Sequence, residues 1–208
     1  MPAIPASVKC FNLSQVNRWD SRDPSAYKDL LKGWSRFMAT ICRHFTEFCP
    51  PRGTDAWAFF KQLVRGGTRQ GCRLQRLSLM KDTYNPHASR RQREVTALLA
   101  LAGMAAKTLP QLRILELWSP GPPFRYIFRY TQDDFRAIIT WRVDGSDIDL
   151  EPSAVEWWTK AASTRILTVE VVPFPEPEGQ FAVLSHLSLR RLAMDAITEE
   201  RIRAGQMG

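Results

Sequence analysis

Three segments of the chain share the pattern Leu-x-x-Leu-x-Leu. A leucine-rich repeat uses this pattern to build a strand whose alternate side chains enter a shared core. Successive runs begin 38 and 72 residues apart, whereas regular leucine-rich repeats keep one period of about 20–29 residues. We therefore predict an α/β fold with an irregular leucine-rich-repeat-like layer of strands backed by helices. The runs are Leu74-x-x-Leu77-x-Leu79, Leu112-x-x-Leu115-x-Leu117 and Leu184-x-x-Leu187-x-Leu189.

Composition divides the chain into a short N-terminal segment and one domain. The first 25 or so residues are rich in Pro, Ser and Asn, so we expect residues 1–25 to be loosely ordered. The remaining residues 26–208 are enough for one substantial core, and we predict a single α/β domain. Within it, 26–72 should be mostly helical and 73–204 should hold the repeat-like α/β part.

Two helices are expected before the first leucine run. Apolar residues recur at helical spacing over Ser25–Phe48, and Pro50-Pro51 ends that element. Either Thr54 or Asp55 can cap a second helix that continues to Val64.

The middle of the chain predicts a crossover followed by a hairpin. Strands Arg73–Met80 and Leu112–Trp118 flank a long Ala- and Leu-rich helix, Ala88–Thr108, so the two strands should pair in parallel. Two alternating runs, Phe124–Tyr130 and Arg136–Arg142, are separated by a polar turn and predict an antiparallel hairpin.

The last third of the chain predicts four more elements. Pro152 opens a helix that reaches Ala162, with Trp157 expected to face inward. Ile166–Val172 is a strongly apolar strand, Leu184–Leu192 a final strand, and Thr198–Arg203 a closing helix.

The order of several motifs is similar to a domain of unknown function found in fungal F-box-like proteins. The resemblance covers about Arg73 to Ala204, including the helix with Val155 and Trp157. The segments that carry it are Leu109-Pro-Gln-Leu-Arg-Ile-Leu-Glu-Leu-Trp118, Phe124-Arg-Tyr-Ile-Phe-Arg-Tyr130, Ile138-Ile-Thr-Trp-Arg142 and His186-Leu-Ser-Leu189.

The resemblance implies a non-catalytic protein-recognition role, as in the substrate-binding part of such proteins. Many relatives begin with an F-box, a helical module that opens on a Leu-Pro-x-Glu-like stretch and docks a ubiquitin-ligase scaffold. This sequence has no such stretch, so scaffold binding is not expected of the chain as it stands. We expect an unidentified protein partner and no membrane partner, because no run approaches the roughly 18 apolar residues that span a bilayer.

The charge is concentrated in the first half, where residues 1–100 hold 17 Lys and Arg against 7 Asp and Glu. Such a half can attract nucleic acid or another anionic partner, which is the alternative function. Arg69 lies in one basic run, and Arg90, Arg91 and Arg93 cluster at a helix start, where cations oppose the helix dipole. These four arginines are candidate partner contacts, although a solvated face explains them as well.

Aromatic residues suggest two further contacts. Phe124, Tyr126, Phe128 and Tyr130 share one face of a strand, which is typical either of a base-stacking platform or, as we favour, of a core face. Adjacent Trp157 and Trp158 cannot both face one core, so Trp158 is the preferred contact residue, with capping of a neighbouring loop as the alternative.

The sequence offers little for catalysis. Cys42, His44 and Cys49 lack the paired spacing of a zinc site, and no nucleophile elbow or paired-carboxylate motif is present. We expect no cofactor and no enzyme, with an enzyme whose site is dispersed in sequence as the third hypothesis. The start of the chain lacks the pattern of a secretory signal, which predicts an intracellular protein, cytoplasmic or nuclear.

Overall fold

The computed structural model describes residues 24–51, 53–81, 88–119, 125–144 and 148–174. Within these ranges four helices accompany a six-stranded mixed sheet, which confirms the predicted α/β class. The elements are α1 (Pro24–Ile41), β1 (Glu47–Phe48), α2 (Ala56–Arg65), β2 (Arg76–Met80), α3 (Ala88–Ala106), β3 (Ile114–Ser119), β4 (Tyr126–Gln132), β5 (Arg136–Val143), α4 (Pro152–Ala162) and β6 (Ile166–Val171).

The strands lie side by side in chain order, from β1 at one edge to β6 at the other. The pairs β1–β2 and β2–β3 are parallel, β3–β4 and β4–β5 are antiparallel, and β5–β6 is parallel. The predicted crossover through α3 and the predicted hairpin are therefore both confirmed.

The first two leucine runs form neighbouring rows of one interior. Leu77 is the register partner of Leu115, and Leu79 is that of Leu117. All four side chains are fully buried, as are Leu74 and Leu112 at the start of each run. The first two runs therefore lie on adjacent parallel strands, β2 and β3, while the third run, at Leu184, lies outside the described residues.

The main core lies between the sheet and all four helices. Alternate residues of β2 to β5 join helix residues in one apolar cluster. Trp158 of α4 is central to it, with its ring centroid 4.8 Å from that of Phe128 and 4.7 Å from that of Tyr130. We call this side the helix face of the sheet, and the opposite side the outer face.

Polar side chains complete both ends of α2. Asp55 caps its start, because the carboxylate accepts a hydrogen bond from the Ala58 N–H at 2.9 Å. The buried guanidinium of Arg43 donates to the carbonyl of Leu63 at 2.8 Å and to that of Gly67 at 2.7 Å. Leu63 is in the last turn of the helix and Gly67 lies just beyond its end, where carbonyl acceptors otherwise lack partners.

One predicted helix is wrong at its end. Helix α1 stops at Ile41, and the following residues form a 3-10 turn and the short strand β1. The carbonyl of Thr46 accepts hydrogen bonds from the N–H groups of Gln75 and Arg76 at 2.9 and 3.0 Å. Pairing with β2 therefore overrides the local helical spacing that continues to Phe48.

Three expectations fall outside the described residues. They concern the strand Leu184–Leu192, the helix Thr198–Arg203 and residues 1–25, apart from Pro24 and Ser25, which open α1. Among the helices that the structure describes, none has the length and hydropathy required to cross a membrane.

Candidate recognition surface

Among the described residues, the side of β6 that faces away from β5 is an open strand edge. The N–H of Ile166 donates to the carbonyl of Phe135 at 3.3 Å, and that of Val172 to the carbonyl of Trp141 at 2.9 Å. Successive residues of a strand direct their backbone groups to opposite sides, so those of Leu167, Val169 and Val171 point away from β5. Within the described ranges no strand pairs with this side of β6.

The side chains along this edge are apolar and exposed. Ile166, Val169 and Val171 expose 74%, 41% and 68% of their surface, and Phe135, at the tip of the β4–β5 hairpin, exposes 80%. Proteins commonly protect a strand edge with charges, proline or a covering element, yet Glu170 is the one charged residue of β6. We call β6 together with Phe135 the β6 edge.

A groove of about 300 Å³ opens beside the β6 edge, at the end of the sheet where β2 and β3 begin. It continues onto the edge, because Arg136 is the register partner of Ile166, and Ile138 that of Thr168. We call it the amino-end groove. Its polar lining comes from Gln75, Arg76, Arg113, Gln132, Asp133 and Arg136.

Most charged groups of the groove are engaged. Arg76 contacts Glu47 at 2.9 Å, and Arg113 contacts Asp134 at 3.1 Å. Asp133 accepts hydrogen bonds from the backbone N–H groups of Arg136 at 2.7 Å and Phe135 at 2.8 Å, which lowers the pKa of its carboxyl. It is therefore a fixed negative charge in the lining.

Arg136 is the exception in this lining. Of the ion pairs formed among the described residues, none includes its guanidinium. Its main-chain N–H holds the Asp133 carboxylate, and its side chain lines the groove. The groove thus offers a guanidinium that forms no ion pair within the described part of the chain, although its charge also contributes to the lowered pKa of the Asp133 carboxyl.

The prediction that Trp158 contacts a partner is wrong, as is the inward orientation of Trp157. Trp158 is fully buried and its indole N–H donates to the Leu99 carbonyl at 3.0 Å. Ala154, Trp158 and Ala162 form the buried stripe of α4, at intervals of four residues. That register leaves Trp157 half-buried, with the Lys160 ammonium 4.4 Å from its ring centroid.

The other four predicted contact residues are not gathered into one site. Arg69 is exposed in the loop before β2, whereas Arg90 and Arg93 are exposed on the first turns of α3, beyond the opposite end of β2. Arg91 is half-buried, and Arg90 contacts Glu94 at 3.4 Å. None of the four lines the amino-end groove.

The aromatic strand is a core strand, as favoured. Tyr126, Phe128 and Tyr130 are buried on the helix face, so their rings are closed to bases. On the outer face Arg129 contacts the fully buried carboxylate of Glu116 at 2.8 Å. The base-stacking interpretation of these three residues is therefore wrong, and Phe124 lies outside the described residues.

The described part of the chain shows little that favours chemistry. Cys42, Cys49 and Cys72 are buried thiols, and burial raises the pKa of Cys42, which disfavours its reactive thiolate form. Among the described residues, no group of three or more His, Cys, Asp or Glu is arranged to hold a metal ion.

Sequence reasoning missed the β6 edge and Phe135. The available signal was an aromatic residue in a charged turn, Asp133-Asp134-Phe135-Arg136, where an apolar side chain has no strand face to occupy. The edge position of β6 among the described strands could not be predicted, because a run of apolar residues is equally typical of a central strand.

These features define an α/β protein with an open strand edge beside a polar groove. The chain belongs to a family of unknown function, DUF6546, which matches residues 7–195. The chain matches no curated protein and no solved structure.

Proposed function

We propose that this chain is a non-catalytic protein-recognition module that binds an extended segment of a partner protein along the β6 edge. The role is the one expected of the substrate-binding part of fungal F-box-like proteins, which the sequence resembles. The observation that carries the proposal is an apolar strand whose outward backbone groups lack a strand partner among the described residues.

Strand addition suits this surface for a physical reason. Leu167, Val169 and Val171 each direct an N–H and a carbonyl outward, and a bound segment can pair with them in a regular ladder. Each such bond contributes about 0.5–1.5 kcal/mol net. Burial of the exposed side chains of Ile166, Val171 and Phe135 adds apolar stabilisation and sequence preference.

The test is selection of a displayed random peptide library against the whole chain, followed by amide hydrogen exchange of the complexes. We expect selected peptides to slow exchange at Leu167, Val169 and Val171. The amides of Ile166 and Val172 already donate to β5 and should change less. Peptides that protect other strands or helices instead would overturn the proposal.

A matched pair of variants locates the site. Val169→Glu places a negative charge on the β6 edge, and Leu30→Glu places the same charge on α1 at nearly equal exposure, 41% for Val169 against 44% for Leu30. Binding should be lost in the first variant and kept in the second. Oligonucleotide binding that falls with added salt and is unchanged in Val169→Glu would favour the nucleic-acid alternative.

A further inference from the structure

We infer that the amino-end groove is a subsite for one carboxylate of the bound segment, held by Arg136, so that the partner is an acidic extended peptide. This inference rests on the proposed recognition along the β6 edge. Arg136 is the register neighbour of Ile166, the first residue of that edge. A segment paired with the far side of β6 therefore runs two strand spacings, about 10 Å, from β5, a gap that the Arg136 guanidinium and an acidic side chain span together.

The placement of side chains supports this continuity. Arg136 and Ile138 of β5, and Ile166 and Thr168 of β6, are paired in register and alternate with core residues, so all four occupy the outer face. Arg136 and Ile138 also line the groove. A side chain that leaves the bound segment on this face meets Ile166 or Thr168 of β6 first, and the Arg136 guanidinium lies beyond them.

The charge balance favours a single carboxylate. Arg76, Arg113, Arg136 and Arg165 surround the groove and the small hollow of about 180 Å³ that adjoins it. Asp133 and Asp134 belong to the adjacent turn, and Glu47 contacts Arg76, so three carboxylates offset these four cations. One positive charge remains, which matches a carboxylate better than a doubly charged phosphate.

The donor geometry is also suitable. A guanidinium presents parallel N–H groups that match the two oxygens of a carboxylate. Arg165 is partly committed, because its Nε donates to the Asp133 carbonyl. That bond helps to fix the turn that positions Arg136. The side chain of Arg136 is therefore available to contact the ligand.

The first experiment tests the groove alone. Propionate, which carries one carboxylate, is titrated into the whole chain while the arginine Nε–Hε signals are followed by NMR, with neutral propionamide as the matched control. The signal of Arg136 should shift with propionate and not with propionamide, and the signal of Arg93, exposed on α3 beyond the opposite end of β2, should not follow it. Equal responses at both arginines would overturn the subsite.

The second experiment uses peptides from the library selection. Changing their acidic residue to its amide should weaken binding to the wild type about tenfold, the size expected of a hydrogen bond to a charged group. The same peptide change should have little effect on binding to Arg136→Gln, whereas Arg93→Gln should behave as the wild type.

The two outcomes separate the proposals. Selected peptides that protect the β6 amides but contain no acidic residue, or show no coupling to Arg136, would refute the carboxylate subsite and leave strand addition standing. Selective propionate binding without any peptide that protects β6 would refute strand addition instead.

Discussion

The carbonyl oxygen of Phe135 accepts a hydrogen bond from the N–H of Ile166 at 3.3 Å, which joins the tip of the β4–β5 hairpin to the first residue of β6. The two side chains expose 80% and 74% of their surface. A backbone contact thus holds two apolar side chains at one corner of the sheet, in contact with water.

This corner should be replaceable without loss of folding. We expect the double variant Phe135→Ser, Ile166→Ser to change the free energy of unfolding by less than about 1 kcal/mol, because exposed sites contribute little. It should also reduce self-association at high concentration, measured by sedimentation velocity. A loss above about 2 kcal/mol would mean that the side chains are packed.

Substituting alanine for two helical glycines should change the free energy of unfolding in opposite directions. A Cβ at Gly103 of α3 would lie 2.9 Å from the Trp157 Cβ and 3.1 Å from its backbone carbon, whereas at Gly33 of α1 nothing lies within 4 Å. Gly103→Ala should lower the free energy of unfolding by about 1–2 kcal/mol, because overpacking outweighs helix propensity. Gly33→Ala should raise it by about 0.5–1 kcal/mol.

Urea denaturation measures both glycine variants. Equal stabilisation by the two alanines would show that α3 and α4 do not approach each other this closely.

The two adjacent tryptophans should differ in their contribution to stability. Trp158→Phe loses the hydrogen bond to the Leu99 carbonyl and leaves space beside Tyr130, which should cost about 2 kcal/mol. Trp157→Phe should cost less than about 1 kcal/mol at its half-buried position. Denaturation followed by circular dichroism compares them, and a larger loss at Trp157 would restore the orientation expected from sequence.

Replacing the buried Arg43 should lower stability more than replacing the exposed Arg65 of α2. Arg43→Met keeps an apolar stem but leaves the Leu63 and Gly67 carbonyls without their donor. We expect a loss of about 2–3 kcal/mol. Arg65→Met, exposed in the last turn of α2, is the control and should cost less than about 0.5 kcal/mol. Similar losses would indicate that the Arg43 bonds contribute nothing.

Stability should fall at alkaline pH because of buried tyrosines. Burial raises the pKa of Tyr130 to about 12 and that of Tyr126 in the same direction. Since the pKa in the unfolded chain is about 10, the contribution is complete below pH 10 and is lost as the pH rises toward 12. Tyrosinate absorbance of the folded chain tests this, and four tyrosines titrating together near pH 10 would contradict it.

The parts of the fold that sequence predicted depend on periodicity. Burial of Leu77 and Leu115 follows from alternation along a strand. Asp55 was one of two predicted caps, because a carboxylate at that position can reach the helix N–H groups. The crossover followed from strand, helix and strand in close succession. These signals are local, so tertiary contacts did not alter them.

The errors have nonlocal causes. Phe48 belongs to a two-residue strand that exists only because β2 lies beside it. Trp157 and Trp158 differ by one step around a helix, about 100°, and packing against α3 determined which one entered the core. Arg136 and Ile166 are 30 residues apart, so no local pattern brings them together.

The sheet's spatial order repeats the order of its strands in the chain. Each new strand can therefore settle on the strand synthesised just before it, without crossing or threading, and most loop closures span short distances in sequence. Assembly of this kind can follow translation from the first strand to the last. Among the described residues, β6 is then the last strand to join the sheet, and its far edge is the position at which a further strand would be added.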